Sequence, residues 1–189
     1  MECIRLSDND LNIMQRLAPK LVYNARKNII HGVLCFDLQY EENGEKIKDE
    51  YQIEIDLNYT YQGMPIVRET GKRIQNIAFQ KRLPLVDLHI NNDNEMCMII
   101  PPLIKEKYPN GFDMEILINH IQEHLYSISF FEKNNRWPWK PFGHGDEGYL
   151  ELYLEDKEKY SDVVKRYFNC NTRPDFRRKL KELRRIYKK

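Results

Sequence analysis

Apolar residues at 11, 14, 17, 18 and 21 recur at helical spacing behind Ser7-Asp8-Asn9-Asp10, whose short polar side chains suit a helix N-cap. They predict a first helix over about 8–22. The period then shortens to two. Ile29–Tyr40 reads as a strand, with Leu34, Phe36 and Leu38 alternating. Glu41-Glu-Asn-Gly44 is a hairpin turn, and Tyr51–Leu57 is its partner, setting Tyr, Ile, Ile and Leu against Gln, Glu and Asp. A second turn over Tyr59–Pro65 leads to a short edge-like strand, Ile66–Glu69, and Leu85–Ile90 reads as a further strand.

The second half changes period. Met114, Leu117, Ile118, Ile121, Leu125, Ile128 and Phe131 share one helical arc across Asp113–Lys133, an amphipathic helix facing a core. Trp137 to Gly148 holds three glycines, two prolines and three aromatics, which suits a rigid loop with Trp137 and Trp139 anchored in the core. Helical stretches over about 149–155 and 157–168 follow. Pro174 starts a last helix with Phe176, Leu180, Leu183 and Tyr187 on one face. The expected fold class is α+β: an N-terminal helix, a four-stranded antiparallel β-meander and C-terminal helices. Residues 1–170 are expected to form one domain and 171–189 a basic amphipathic C-terminal helix.

The length of 189 residues, 41% hydrophobic and 31% charged, suits one ordinary globular domain. No apolar run approaches the roughly 20 residues that span a bilayer, and Met1–Arg5 has no apolar signal-peptide core. Cys3, Cys35, Cys97 and Cys170 stand far apart with no Cys-x-x-Cys pair, so free thiols and a cytoplasmic location are expected. Charge is segregated. Arg173 to Lys189 holds nine Lys/Arg against Asp175 and Glu182, a tail of +7, which leaves −6 elsewhere for the net charge of +1. Such a tail docks an acidic partner or forms a solvated helix face; nucleic acid fits less well, because the acidic remainder repels phosphates.

Cys97 is the residue most suggestive of chemistry. It follows a polar turn, Asn91 to Glu95, with His89 and Asn91 just upstream. An accessible thiol beside an amide donor can carry an acyl group and stabilise the oxyanion formed in its transfer. The same residues also read as a packed cysteine, a turn-stabilising histidine and an ordinary turn asparagine.

A helix, an antiparallel meander, His-x-Asn followed by Cys, and then a long helix resemble ubiquitin-conjugating enzymes. That family carries His-Pro-Asn before its catalytic cysteine, matched here by His89-Ile90-Asn91 and Cys97. Isoleucine stands in place of the proline, and the interval from histidine to cysteine is shorter than in the eukaryotic enzymes. Trp137-Pro-Trp-x-x-Phe-Gly-His-Gly-x-x-Gly148 is similar to the prokaryotic branch found in anti-phage CBASS operons and other bacterial ubiquitin-like pathways.

The resemblance implies a transferase with Cys97 as the thioester-forming residue, His89 shaping the turn, and Asn91 or His144 assisting. It implies an ATP-dependent activating enzyme as partner, and as acyl donor a ubiquitin-like protein or a cGAS-like nucleotidyltransferase. It implies neither metal nor organic cofactor. A catalytically inert protein-interaction module of the same fold is the alternative.

Two further patterns stand apart. His120-Ile-Gln-Glu123-His124 matches the His-x-x-Glu-His zinc-peptidase motif, although His124 falls within the apolar arc and His120 at its edge. His144 sits between two glycines, free either to approach a substrate carbonyl or to pin its own loop.

Overall fold

Ser7 opens the first helix with a reciprocal cap: its hydroxyl accepts from the Asp10 N–H (3.2 Å), and its own N–H donates to the Asp10 carboxylate (2.8 Å). In the computed structural model, which describes residues 3–188 except 41 and 43, this helix is α1 (Asp8–Leu17). It ends five residues earlier than the sequence predicts. Pro19 disfavours helical backbone at Ala18, which leaves the α region at φ −142°, ψ 64°. The released residues form a strand instead, β1 (Leu21–Asn24).

β2 (Ile29–Leu38), β3 (Ile47–Tyr61) and β4 (Met64–Glu69) follow, and the sheet order is β1-β2-β3-β4 with every pair antiparallel. The predicted turn over 41–44 includes positions 41 and 43, which lie outside the described residues. The β3–β4 turn tightens onto Gln62-Gly63, with φ of 53° and 84°; positive φ at both positions suits a two-residue hairpin loop. Alternation buries Ile30, Leu34 and Phe36 of β2 and Tyr51, Ile53, Ile55 and Leu57 of β3.

Two segments depart from expectation. α2 (Arg73–Lys81) has no counterpart among the predicted elements. It is held by Arg73, which forks onto Asp49 of β3, reaches Glu132 (2.7 Å) and lies 4.5 Å over the Tyr51 ring. Leu85–Ile90, predicted as a strand, instead starts with a 3₁₀ turn over Leu85–Leu88. Pro84 fixes the entry at φ −67°, and local bonds close the turn: Asp87 N–H to Pro84 O (3.1 Å), His89 N–H to Val86 O (3.0 Å). The fourth strand of the sheet is therefore supplied by β1, at the opposite edge.

Another 3₁₀ turn (Pro101–Leu103) and the short α3 (Ile104–Lys107) lead to α4 (Met114–Asn134). Asp113 caps α4 by accepting the Ile116 N–H (2.9 Å). Leu117, Ile118, Ile121, Leu125 and Ile128 of α4 are buried in one core with the inner face of the sheet and Met14 of α1. The chain divides into two compact units, one ending at Trp139 and the other beginning at Lys140. The second comprises α5 (Asp146–Glu155), α6 (Lys157–Tyr167) and α7 (Arg173–Tyr187). Within it Tyr149 stacks on Tyr167 (3.6 Å between centroids) and Tyr153 meets Phe176 edge-on (5.2 Å). Among the described residues, no helix is long and apolar enough to cross a membrane.

Candidate functional site around Cys97

Two positive-φ residues, Asp93 and Asn94 (64° and 61°), turn the chain back on itself after Asn91. The result is a small two-arm hairpin. Asn91 N–H donates to Glu95 O (2.8 Å) and Cys97 N–H to His89 O (2.7 Å), flanking an antiparallel bridge between Ile90 and Met96. Ile90 and Met96 are buried, at 3% and 7% exposure. Alternation then turns Asn91 and Cys97 to the other side, where Asn91 is exposed and Cys97 half-buried.

The hairpin is tied to the free edge of β4. Met96 N–H donates to Val67 O (2.8 Å), Arg68 bridges to Glu95 along the backbone, and the Arg68 guanidinium pairs with the Glu95 carboxylate (3.1 Å). Gln75 of α2 hydrogen-bonds Asn94 in the turn. The backbone around Cys97 is thus held by sheet and helix together.

His89 stands directly opposite Cys97 and Asn91 opposite Glu95, so Asn91 is the diagonal neighbour of Cys97, with about 7–8 Å expected between their Cα atoms. An amide at that separation reaches an oxygen lying between the two side chains. The His89 ring is occupied elsewhere, edge-on to His124 (5.9 Å) and Trp137 (5.6 Å). Its backbone is left-handed (φ 57°), where it caps the 3₁₀ turn. His89 therefore shapes the turn through its carbonyl and ring packing.

Burial pushes the Cys97 thiol above its ordinary value, and no charged group among the described residues acts on it. No described residue hydrogen-bonds to its Sγ. The thiol is protonated at neutral pH and becomes a strongly basic nucleophile only on losing its proton.

His120 braces the chain on the far side of Cys97. Its Nε2 contacts the Met98 carbonyl (3.2 Å), which can only accept, so Nε2 carries the proton and Nδ1 accepts from the Tyr108 hydroxyl (2.9 Å). Burial, with a smaller contribution from Lys107, pushes His120 down to about 4, so the ring is neutral. This engagement bears on the zinc-peptidase pattern: both His120 ring nitrogens are committed within the protein, and Glu123 pairs with Lys107 (2.6 Å). Among the described residues, no group of three or more His, Cys, Asp or Glu side chains is arranged to hold a metal ion. The bracing role of Tyr108 and His120 escaped the sequence pattern, because His120 at the edge of the apolar arc reads equally as core.

Trp137 stacks on Phe131 (4.7 Å), whereas Trp139 is 39% exposed and stacks on Tyr126 (5.9 Å). His144 lies in the second unit. Its loop is pinned by the buried Glu151, which accepts the Gly143 N–H (2.7 Å) and pairs with Lys140 (2.7 Å). A Cβ on Gly143 would stand 2.5 Å from the Glu147 side chain, so glycine there permits close packing within the loop. No family model matches the chain, and no curated protein or solved structure matches it either.

Proposed function

We propose that the chain is an acyl carrier of the ubiquitin-conjugating type, with Cys97 as the thioester-forming residue. The observation that carries this reading is the braced hairpin: a half-exposed thiol on a backbone fixed by His89 O, Val67 O and the His120 contact, with an exposed asparagine diagonal to it. Rigid backbone around a nucleophile keeps it in one attack geometry. The order of elements, helix, antiparallel sheet, thiol hairpin and long helix, is the order in which the sequence resembles that family.

The chemistry runs in two balanced steps. Cys97 Sγ attacks the carbonyl of a partner's thioester; the new S–C bond forms, the partner's S–C bond breaks, the Cys97 proton is released and the partner thiolate takes one up. An amine then attacks the Cys97 thioester; the N–C bond forms, the S–C bond breaks, and the amine's proton passes to the departing sulfur. A basic thiolate is a poor leaving group, so a thiol raised by burial accepts acyl groups from more acidic thiols and holds them against water. The Asn91 amide is the candidate donor to the tetrahedral oxyanion. Following the resemblance, an activating enzyme consumes the ATP, and the acyl group is the C-terminus of a ubiquitin-like protein or of a cGAS-like nucleotidyltransferase. Neither step needs a metal or an organic cofactor.

Incubation with a ubiquitin-type activating enzyme, ATP and acyl donor tests the reading. The expected product is an ATP-dependent adduct that survives non-reducing gels and disappears with excess thiol. No adduct with any donor of either class sinks it. One observation favours a second reading, an inert protein-interaction module: among the described residues, no charged group lowers the Cys97 thiol, which burial raises. An all-thiol alkylation profile in which Cys97 never reacts supports that reading instead.

A further inference from the structure

Helix α7 separates its charges by face. Arg177, Lys181, Arg184 and Arg185 fall on one arc, while its acids, Asp175 and Glu182, fall on another. The acids already have partners: Asp175 pairs with Arg178 (2.9 Å) and Glu182 with Lys179 (3.6 Å). The first four cations, joined by Lys157 from the start of α6, converge on one recess. None of these five has an ion-pair or hydrogen-bond partner among the described residues, and all are exposed. Like charges at i,i+4 oppose the helix by a few tenths of a kcal/mol per pair, roughly, so an unrelieved cluster is a standing positive field suited to an anionic ligand.

The floor of the recess decides which anion. It is apolar, formed by Leu180 and Tyr153. A neighbouring recess shares Lys181 and Arg185 and is also lined by Arg178, Glu182 and the exposed Ile186, which at about 100° per residue stands beside Glu182 on the acidic arc, away from Leu180. The cation arc therefore borders apolar surface at Leu180 and Tyr153. The Tyr153 ring is half-buried and already meets Phe176 edge-on, which leaves it poorly placed to stack a base. The exposed Glu155, Asp156 and Glu158 neighbour Lys157 along the chain, so a long polyanion passing Lys157 meets like charge there. From Arg177 to Arg185 the stripe is about 12 Å long, matching a few residues of extended peptide.

We infer that this face of α7 binds a short acidic peptide segment of a protein partner, in which carboxylates alternate with large apolar side chains. The carboxylates pair with the Lys181 ammonium and with Arg177, Arg184 and Arg185, whose guanidinium forks grip carboxylates bidentately. The apolar side chains rest on Leu180 and Tyr153. This surface lies within the second unit and does not depend on the acyl-carrier reading.

Fluorescence anisotropy on the full chain tests it, using a labelled peptide in which Asp and Glu alternate with Leu and Phe. Poly-glutamate and single-stranded oligothymidylate of equal charge are the comparison probes. The peptide should bind about tenfold more tightly than poly-glutamate, because two apolar anchors are present. Lys181→Glu with Arg185→Glu should weaken it at least about tenfold, and Arg177→Gln with Arg184→Gln should act in the same direction, with helical circular dichroism unchanged. Tighter binding of oligothymidylate, equal binding of poly-glutamate, no binding of the peptide, or indifference to both double substitutions would each overturn the inference.

Discussion

Cys97 donates its backbone N–H to the carbonyl of His89 across 2.7 Å, which makes the two residues direct partners on a hairpin fastened to the edge of β4. The thiol's setting is therefore fixed by backbone bonds, and substitutions around it separate positioning from chemistry.

Alkylation should report the buried setting first. Burial raises the Cys97 thiol, so its reaction with iodoacetamide should rise with pH through a midpoint above that of an unstructured cysteine peptide. Peptide mapping across a pH series measures this site by site. A midpoint at or below the peptide's would mean that an activating charge acts on Cys97.

Asn91 is exposed, so Asn91→Ala should change stability by no more than about 0.5 kcal/mol. If its amide serves the oxyanion, discharge of the thioester to an amine should slow by about 10–100-fold while the adduct remains detectable. Single-turnover discharge measures that difference. An unchanged discharge rate removes Asn91 from the chemistry.

His120 couples the hairpin to acid stability. Its folded value of about 4 lies below its ordinary 6.5, so the unfolded chain binds the proton more readily. Its neutral form favours folding fully above pH 6.5, and the advantage is lost as pH falls from 6.5 toward 4, by about 3 kcal/mol. Burial is the main cause, Lys107 adds to it, and Glu123 and the Met98 carbonyl oppose it, while the Tyr108 hydroxyl faces Nδ1. Urea midpoints across that window should fall steeply in the wild type and flatten in His120→Gln, which can still donate to Met98 O. Equal slopes would show that His120 is not the titrating group.

The Arg73 cluster locks α2 to the sheet and to α4. Ser129 Oγ donates to Asp49 (2.8 Å) while Tyr51 contacts the same hydroxyl (2.8 Å). Arg73→Ala leaves Asp49 partly buried without its cation and should cost about 2–4 kcal/mol. Paired with Asp49→Ala in a double-mutant cycle, the two losses should fall well short of additive. Additive losses would contradict the cluster.

Long periodic elements were legible in the sequence: α4 and α7 lie within a residue or two of their predicted bounds, and the capping residues of α1 were plain. The failures have local causes. β1 is four residues long and hides behind Pro19, inside an apolar spacing that continues the helical pattern. α2 carries no side-chain cap, since Lys72 opens it in a left-handed conformation, and its anchor is an arginine to three distant partners. Leu85–Ile90 alternates like a strand, yet Pro84 and local bonds fold it into a turn. For the site, Cys97, Asn91 and His89 could be named from their order, but their pairing depends on positive φ at Asp93 and Asn94, which no periodicity reveals. Tyr108 and His120 meet only through the tertiary fold.

The most direct test of Cys97 as the acyl-bearing residue is the bond it forms. With activating enzyme, ATP and donor, Cys97→Ser should convert the thiol-labile adduct into one that resists thiol and yields to hydroxide, the behaviour of an oxygen ester, while Cys97→Ala should give no adduct. A thiol-labile adduct that persists in both variants would place the chemistry on Cys3, Cys35 or Cys170 and contradict the assignment.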